Sequence, residues 1–133
     1  MSKVVNIAVV DDEPAVEYLY QVSFKKQIKS GDVSLFFFPE AVKLLEFLRA
    51  NRGVVQILIL VSDINMPGMS GVTLAEKVRE EFPEIDVYLS SAYDPRTYQN
   101  KIDGLKLAGY LPKPVDFDLI HKLVDEKREK IPG

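Results

Sequence analysis

Short, nearly unbroken apolar runs alternate along this chain with stretches whose apolar residues recur at helical spacing, and few folds accommodate that alternation. The runs are "VVNIAVV" at the start, "VSLFFF", residues 57–62, "DVYLS" at 86–90 and "GYLP" at 109–112. Between the first two, Val16, Leu19, Tyr20, Phe24 and Ile28 predict a helix broken by Ser30-Gly31-Asp32. Ala41, Leu44, Leu45 and Leu48 mark a second helix ended by Asn51-Arg52-Gly53, and Val72, Ala75, Val78 and Phe82 a third. Tyr98, Ile102 and Leu105 suggest a fourth, weakened by Gly104, which costs about 1 kcal/mol relative to Ala. Leu119, Ile120, Leu123 and Val124 mark the last. Strands apolar on both faces and separated by helices imply a five-stranded parallel sheet, doubly wound, because parallel strands need crossovers and the crossovers cover the faces. Right-handed connections leave few arrangements of that α/β class.

A chain of 133 residues with 47% hydrophobic and 28% charged residues is expected to form one domain over residues 1–133. Seventeen basic and twenty acidic residues leave a net charge of −3, which offers no electrostatic footprint for direct nucleic-acid binding. There is no cysteine, hence no disulfide framework and no thiolate nucleophile or metal ligand. The N-terminus lacks the pattern of a signal peptide, and the longest apolar run, "VVQILILV", is too short to span a bilayer. The expectation is a cytoplasmic protein without a membrane partner. No Gly-rich phosphate loop of the P-loop or dinucleotide pattern follows a strand.

Polar residues gather at the ends of the apolar runs. Asp11 and Asp12 follow the first, Asp63 closes the third, Ser91 the fourth, and Lys113 the fifth. In a parallel sheet those ends share one edge, where ligand sites form. Three carboxylates brought within about 4–6 Å repel by about 4 kcal/mol per close pair at an effective dielectric near 20. A hard divalent cation answers that repulsion, and Mg²⁺ suits it because it accepts a few oxygens, keeps waters and leaves room for a phosphoryl oxygen. Lys113 supplies a further positive charge. A carboxylate in that setting is equipped to attack phosphorus and become an aspartyl phosphate. "MPG" at 66–68 turns the chain away after Asp63 and leaves the carboxylate reachable.

The ordered set "VVDDEP", "SDINMPGMSG", "SSAY" and "YLPKPV" resembles the receiver domain of bacterial two-component response regulators, from about Val5 to Lys127. The resemblance implies the flavodoxin-like strand order 2-1-3-4-5. It implies that Asp63 receives a phosphoryl group from a phosphohistidine on a sensor histidine kinase or histidine phosphotransfer protein, with Mg²⁺ or Mn²⁺ as cofactor. Asp12 would be a direct metal ligand, Asp11 would act mainly through water, and Asn65 would offer its backbone carbonyl. Ser91 matches the switch hydroxyl, Ala92 its small neighbour, Lys113 the phosphoryl-binding amine, and Tyr110 the aromatic that moves inward with the hydroxyl. The moving face would be that of the fourth helix, fifth strand and last helix. The family's Lys-Pro peptide is typically cis, which makes Pro114 a candidate. A monomer or weak dimer is expected, and no enzyme activity beyond Mg²⁺-dependent self-phosphorylation and self-dephosphorylation.

Three departures stand out. Ser91 replaces the commoner Thr. Lys106-Leu107 stands where many relatives have Gly-Ala. Asn65 and Tyr93 occupy positions that tune phosphoryl lifetime in the family.

Plainer readings stand beside these. Asp11 and Asp12 suit a strand-to-helix turn, Asp63 a loop cap, Ser91 a backbone-bonded strand end, and Tyr110 the core. The methionines of "MPGM" fill gaps, and "EKREK" is a solvated helix end. His121, the only histidine, reads as a solvated surface residue, so the phosphoryl donor is another molecule. Two other functions compete. One is a degenerate receiver acting as a phosphorylation-independent binding module. The other is an aspartate-nucleophile Mg²⁺ phosphatase, disfavoured by Asn65 where such enzymes carry a second acid.

Overall fold

Five parallel strands pair in the order β2-β1-β3-β4-β5. The computed structural model describes residues 3–92, 96 and 99–132. The strands are β1 (Val5–Val10), β2 (Val33–Phe38), β3 (Ile59–Asp63), β4 (Asp86–Ser91) and β5 (Gly109–Pro112). The helices are α1 (Pro14–Ser23), α2 (Lys25–Ser30), α3 (Ala41–Ala50), α4 (Gly71–Glu81), α5 (Gln99–Ile102) and α6 (Phe117–Glu129). Register is set by the β1 pairings Val5 with Val33 and Ile7 with Ile59, and by Asp63 with Ser90 across β3 and β4.

The unbroken apolar runs are explained by burial on both faces. Because side chains alternate along a strand, Val5, Ile7, Val9, Ile59 and Val61 pack with Tyr20 and Phe24 and with Ile120 and Val124 of α6. Ala8, Val10, Leu60, Val87 and Leu89 face the other way, onto Leu44 and Leu48 of α3 and Ala75 and Val78 of α4. Each fully buried aliphatic side chain contributes roughly 1.5–3 kcal/mol, which fixes the sheet and therefore its polar edge. Among the described residues, side chains cap two helix starts: the Ser70 hydroxyl accepts from the Thr73 amide at 3.2 Å, and Asp116 accepts from the Asp118 amide at 3.0 Å.

Four expectations need correction. The first predicted helix is two, because Phe24 leaves helical geometry at φ −103, ψ 15 and divides α1 from α2. Its stripe is not uniformly core either: Tyr20 and Phe24 are buried, whereas Leu19 is 50% exposed and Ile28 also faces solvent. Among the described residues the fourth helix comprises Gln99–Ile102, and Leu105 lies beyond its end, between Gly104 and Lys106, both at positive φ; Tyr98 lies outside the described residues. Lys106 adopts φ 54, a left-handed conformation uncommon for a side chain with a Cβ.

The last two corrections concern α6. Its end is not simply solvated, since Lys127 pairs with Asp86 at 3.0 Å and Arg128 with Asp32 at 2.8 Å. His121 is half-buried, stacked on Phe24 with ring centroids 4.0 Å apart, and its Nε2 lies 3.0 Å from the Ser23 carbonyl oxygen, to which it donates as the protonated nitrogen. Leu119 in the same helix is partly exposed.

Candidate functional site

The parallel sheet delivers its polar residues to one edge. Asp11 leaves β1 and is 4% exposed, Asp63 ends β3 at 7%, and Asp12 next to Asp11 is exposed. One carboxylate oxygen from each of these three residues lies within 4.8 Å of the others. Lys113, just past β5, bridges two of them: its Nζ donates to Asp11 Oδ2 at 2.8 Å and lies 3.3 Å from Asp63 Oδ2. The other Asp11 oxygen accepts from the Glu13 amide at 2.9 Å.

Electrostatics follow from this crowding. Burial holds the Asp63 carboxyl above the usual carboxylate range; the Lys113 charge opposes that rise without cancelling it, and the Asp11 charge adds to it. Burial alone would lower the Lys113 ammonium, but the hydrogen bond and charge of Asp11, joined by Asp63, raise it above its ordinary value. One amine therefore answers two buried carboxylates, and a third carboxylate stands in solvent beside them. The donor set, all hard oxygen, fits a small divalent cation.

The remaining residues form a second tier. The Asn65 amide donates to Asp63 Oδ1 at 3.3 Å, and its side-chain Nδ2 donates to Ser91 Oγ, also at 3.3 Å. The Tyr110 hydroxyl donates to the Ser91 carbonyl at 3.2 Å, while its ring packs against the core beneath α3 and α4. Ala92 is exposed and, with Glu13, Tyr20, Lys113, Pro114 and Phe117, borders a cavity of about 340 Å³ beside the acidic cluster. The Lys113–Pro114 peptide is cis. Tyr93 lies outside the described residues.

Sequence reasoning missed Gly71. A Cβ built there would lie 2.1 Å from the Asp63 carbonyl oxygen, so α4 begins in direct backbone contact with the residue at the centre of the site. The Gly71 amide donates to the Ile64 carbonyl at 2.9 Å and fixes that approach. The only local signal was a Gly following the Ser70 cap. Gly68, at φ 77, makes the preceding turn, and Met66 and Met69 fill space against the core.

Fold and site together define a response regulator receiver domain: the model of that family matches residues 7–125, and the chain belongs to it. Among curated relatives, the chain is 28% identical over 124 residues to the sensor kinase CckA of Brucella abortus (strain 2308), covering 93% of this chain and 12% of that protein. It is 27% identical over 129 residues to the DNA-binding transcriptional regulator NtrC of Proteus hauseri, covering 94% of this chain and 26% of that one. The chain thus spans between about an eighth and a quarter of the length of these relatives.

Solved structures agree on the fold. The signal receiver domain of an HD domain-containing protein from Pseudomonas fluorescens Pf-5 superposes with a TM-score of 0.78 at 20% identity, covering 96% and 98% of the two chains. A BeF3-activated DrrB receiver domain does so at 0.75 and 19%, covering 98% and 100%. Among the described residues, no helix is long and apolar enough to cross a membrane.

Proposed function

We propose that Asp63 is the phosphoacceptor of a two-component phosphorelay, charged in a Mg²⁺-dependent reaction by a phosphohistidine on a sensor histidine kinase or histidine phosphotransfer protein. The observation that carries this reading is the Lys113 amine held between Asp11 and Asp63, with Asp12 completing an acidic cluster beside it. An Asp63 oxygen attacks phosphorus; the new P–O bond forms as the donor's P–N bond breaks, and the imidazole nitrogen keeps the electron pair. Asp11, Asp12, Asp63 and the Asn65 carbonyl would hold the cation, which when bound supplies charge neutralisation at the phosphoryl oxygens. Lys113 takes a second phosphoryl oxygen. The donor lies on another molecule, because His121 is engaged at the α1–α2 junction.

The product is a changed surface rather than a released metabolite. Ser91, linked to Asn65 through its hydroxyl and to Tyr110 through its carbonyl, transmits the charge event toward β5. The face carrying α5, β5 and α6 then changes its preference for partners. The matches to a sensor kinase and to a DNA-binding transcriptional regulator support a place for this receiver in a signalling relay.

The test is intact-mass measurement after incubation with a small-molecule phosphodonor and Mg²⁺. Wild type gains one phosphoryl mass and Asp63→Ala gains none; equal labelling of both, or of neither, refutes the reading.

A further inference from the structure

Tyr20 carries a feature that packing does not explain. Its ring is 1% exposed and meets Phe117 edge-on, centroids 5.0 Å apart, so the ring has an evident core role. Its hydroxyl has none: among the described residues it is enclosed without a hydrogen-bond partner. A buried hydroxyl left unpaired costs stability that phenylalanine at the same position would not.

The placement of Tyr20 beside the acidic cluster offers that hydroxyl a use. Tyr20 borders the same cavity as Glu13 and Lys113, the two residues that supply both donors to the Asp11 carboxylate. Burial first, and the Asp11 charge after it, push the phenol well above its ordinary pKa, so the proton stays on oxygen and the group remains a donor. Asp11 Oδ1 is secured by a backbone amide, but Asp11 Oδ2 depends on Lys113, which also lies 3.3 Å from Asp63. A phosphoryl group on Asp63 competes for that amine and leaves Asp11 Oδ2, whose link to the cation would run mainly through water, without its protein donor.

We infer that the Tyr20 hydroxyl is a positioning group that replaces Lys113 on Asp11 Oδ2 when Lys113 turns to a phosphorylated Asp63. Two unsatisfied groups, one in each state, then become a single charge-assisted hydrogen bond. The inference rests on the phosphoacceptor reading of Asp63 and adds to it a residue outside the acidic cluster.

Tyr20→Phe removes only the hydroxyl. The measurement is thermal unfolding of both proteins without metal, together with their affinity for beryllofluoride, a phosphoryl mimic, in saturating Mg²⁺, followed by amide NMR shifts. Tyr20→Phe unfolds at the same or a higher temperature than wild type when metal-free, yet binds beryllofluoride about tenfold more weakly, equivalent to about 1.4 kcal/mol. Equal affinity in the two proteins overturns the role of Tyr20 while leaving the phosphoacceptor reading intact. So does an equal loss of thermal stability with and without the mimic, since that marks a purely structural hydroxyl. A wild type that does not bind beryllofluoride refutes both.

Discussion

Gly71→Ala is the most revealing single substitution, because it adds one methyl group at a place the chemistry never touches. The new Cβ would sit 2.1 Å from the Asp63 carbonyl oxygen, 2.9 Å from its carbonyl carbon and 2.9 Å from Ile64 Cα. Ordinary contact is about 3.5 Å or more between carbon atoms, so the start of α4 and the end of β3 must part by roughly 1 Å. All three clashing atoms are backbone, and none can rotate away. The separation strains the Gly71 to Ile64 hydrogen bond and moves Asp63 relative to Lys113, now 3.3 Å apart. Overpacking of this kind costs about 1–3 kcal/mol, and a displacement of about 1 Å in a reacting group lowers its rate by roughly 100-fold.

Urea unfolding and the initial rate of phosphoryl incorporation measure the two effects. Gly68→Ala is the control: its backbone is left-handed at φ 77 but no atom lies within 4 Å of the added Cβ, so it costs about 1 kcal/mol of strain and leaves the rate unchanged. A Gly71→Ala protein as stable and as rapidly labelled as wild type would show that the close approach of α4 does not hold Asp63 in place.

Three further outcomes follow from the same geometry. Asp63→Asn stabilises the metal-free protein at neutral pH. The folded-state pKa of Asp63 is raised, so its contribution is most favourable below the unfolded carboxylate value and is lost as pH rises through the folded one; the mutant's advantage in urea midpoint therefore vanishes in acid. Asp12→Ala, an exposed change, alters metal-free stability by less than about 0.5 kcal/mol but abolishes the rise in melting temperature that Mg²⁺ gives wild type by binding the folded state. His121→Ala removes the stack on Phe24 and the bond to Ser23, destabilising the fold by about 1–2 kcal/mol in urea titration without changing the labelling rate of Asp63.

Legibility in the sequence followed the range of the interactions involved. The strands were plain because burial on both faces leaves unbroken apolar runs, and "VSLFFF" and "GYLP" coincide with β2 and β5. The order of those strands came from the family resemblance, since periodicity alone leaves several parallel arrangements open. Asp11, Asp63 and Lys113 could be placed on one edge because parallel strands share a direction.

What escaped depended on contacts distant in the chain. His121 looked solvated because Ser23 lies 98 residues away and nothing nearby announces the pairing. Leu19 fitted the apolar stripe of α1 yet points outward, since spacing identifies a face without identifying what covers it. Gly71 was opaque because its reason is a distance to Asp63 rather than a backbone angle, and the Tyr20 hydroxyl because an aromatic in a helical stripe reads as packing.

Chemical trapping of the phosphoryl group identifies the acceptor residue. Borohydride cleaves an acyl phosphate reductively and converts the acceptor aspartate to homoserine, which peptide mass mapping can assign. After incubation with a phosphodonor and Mg²⁺, homoserine is expected at position 63, and none there when Mg²⁺ is chelated. Homoserine at position 11 or 12, or at no position despite full incubation, rules out Asp63 as the acceptor.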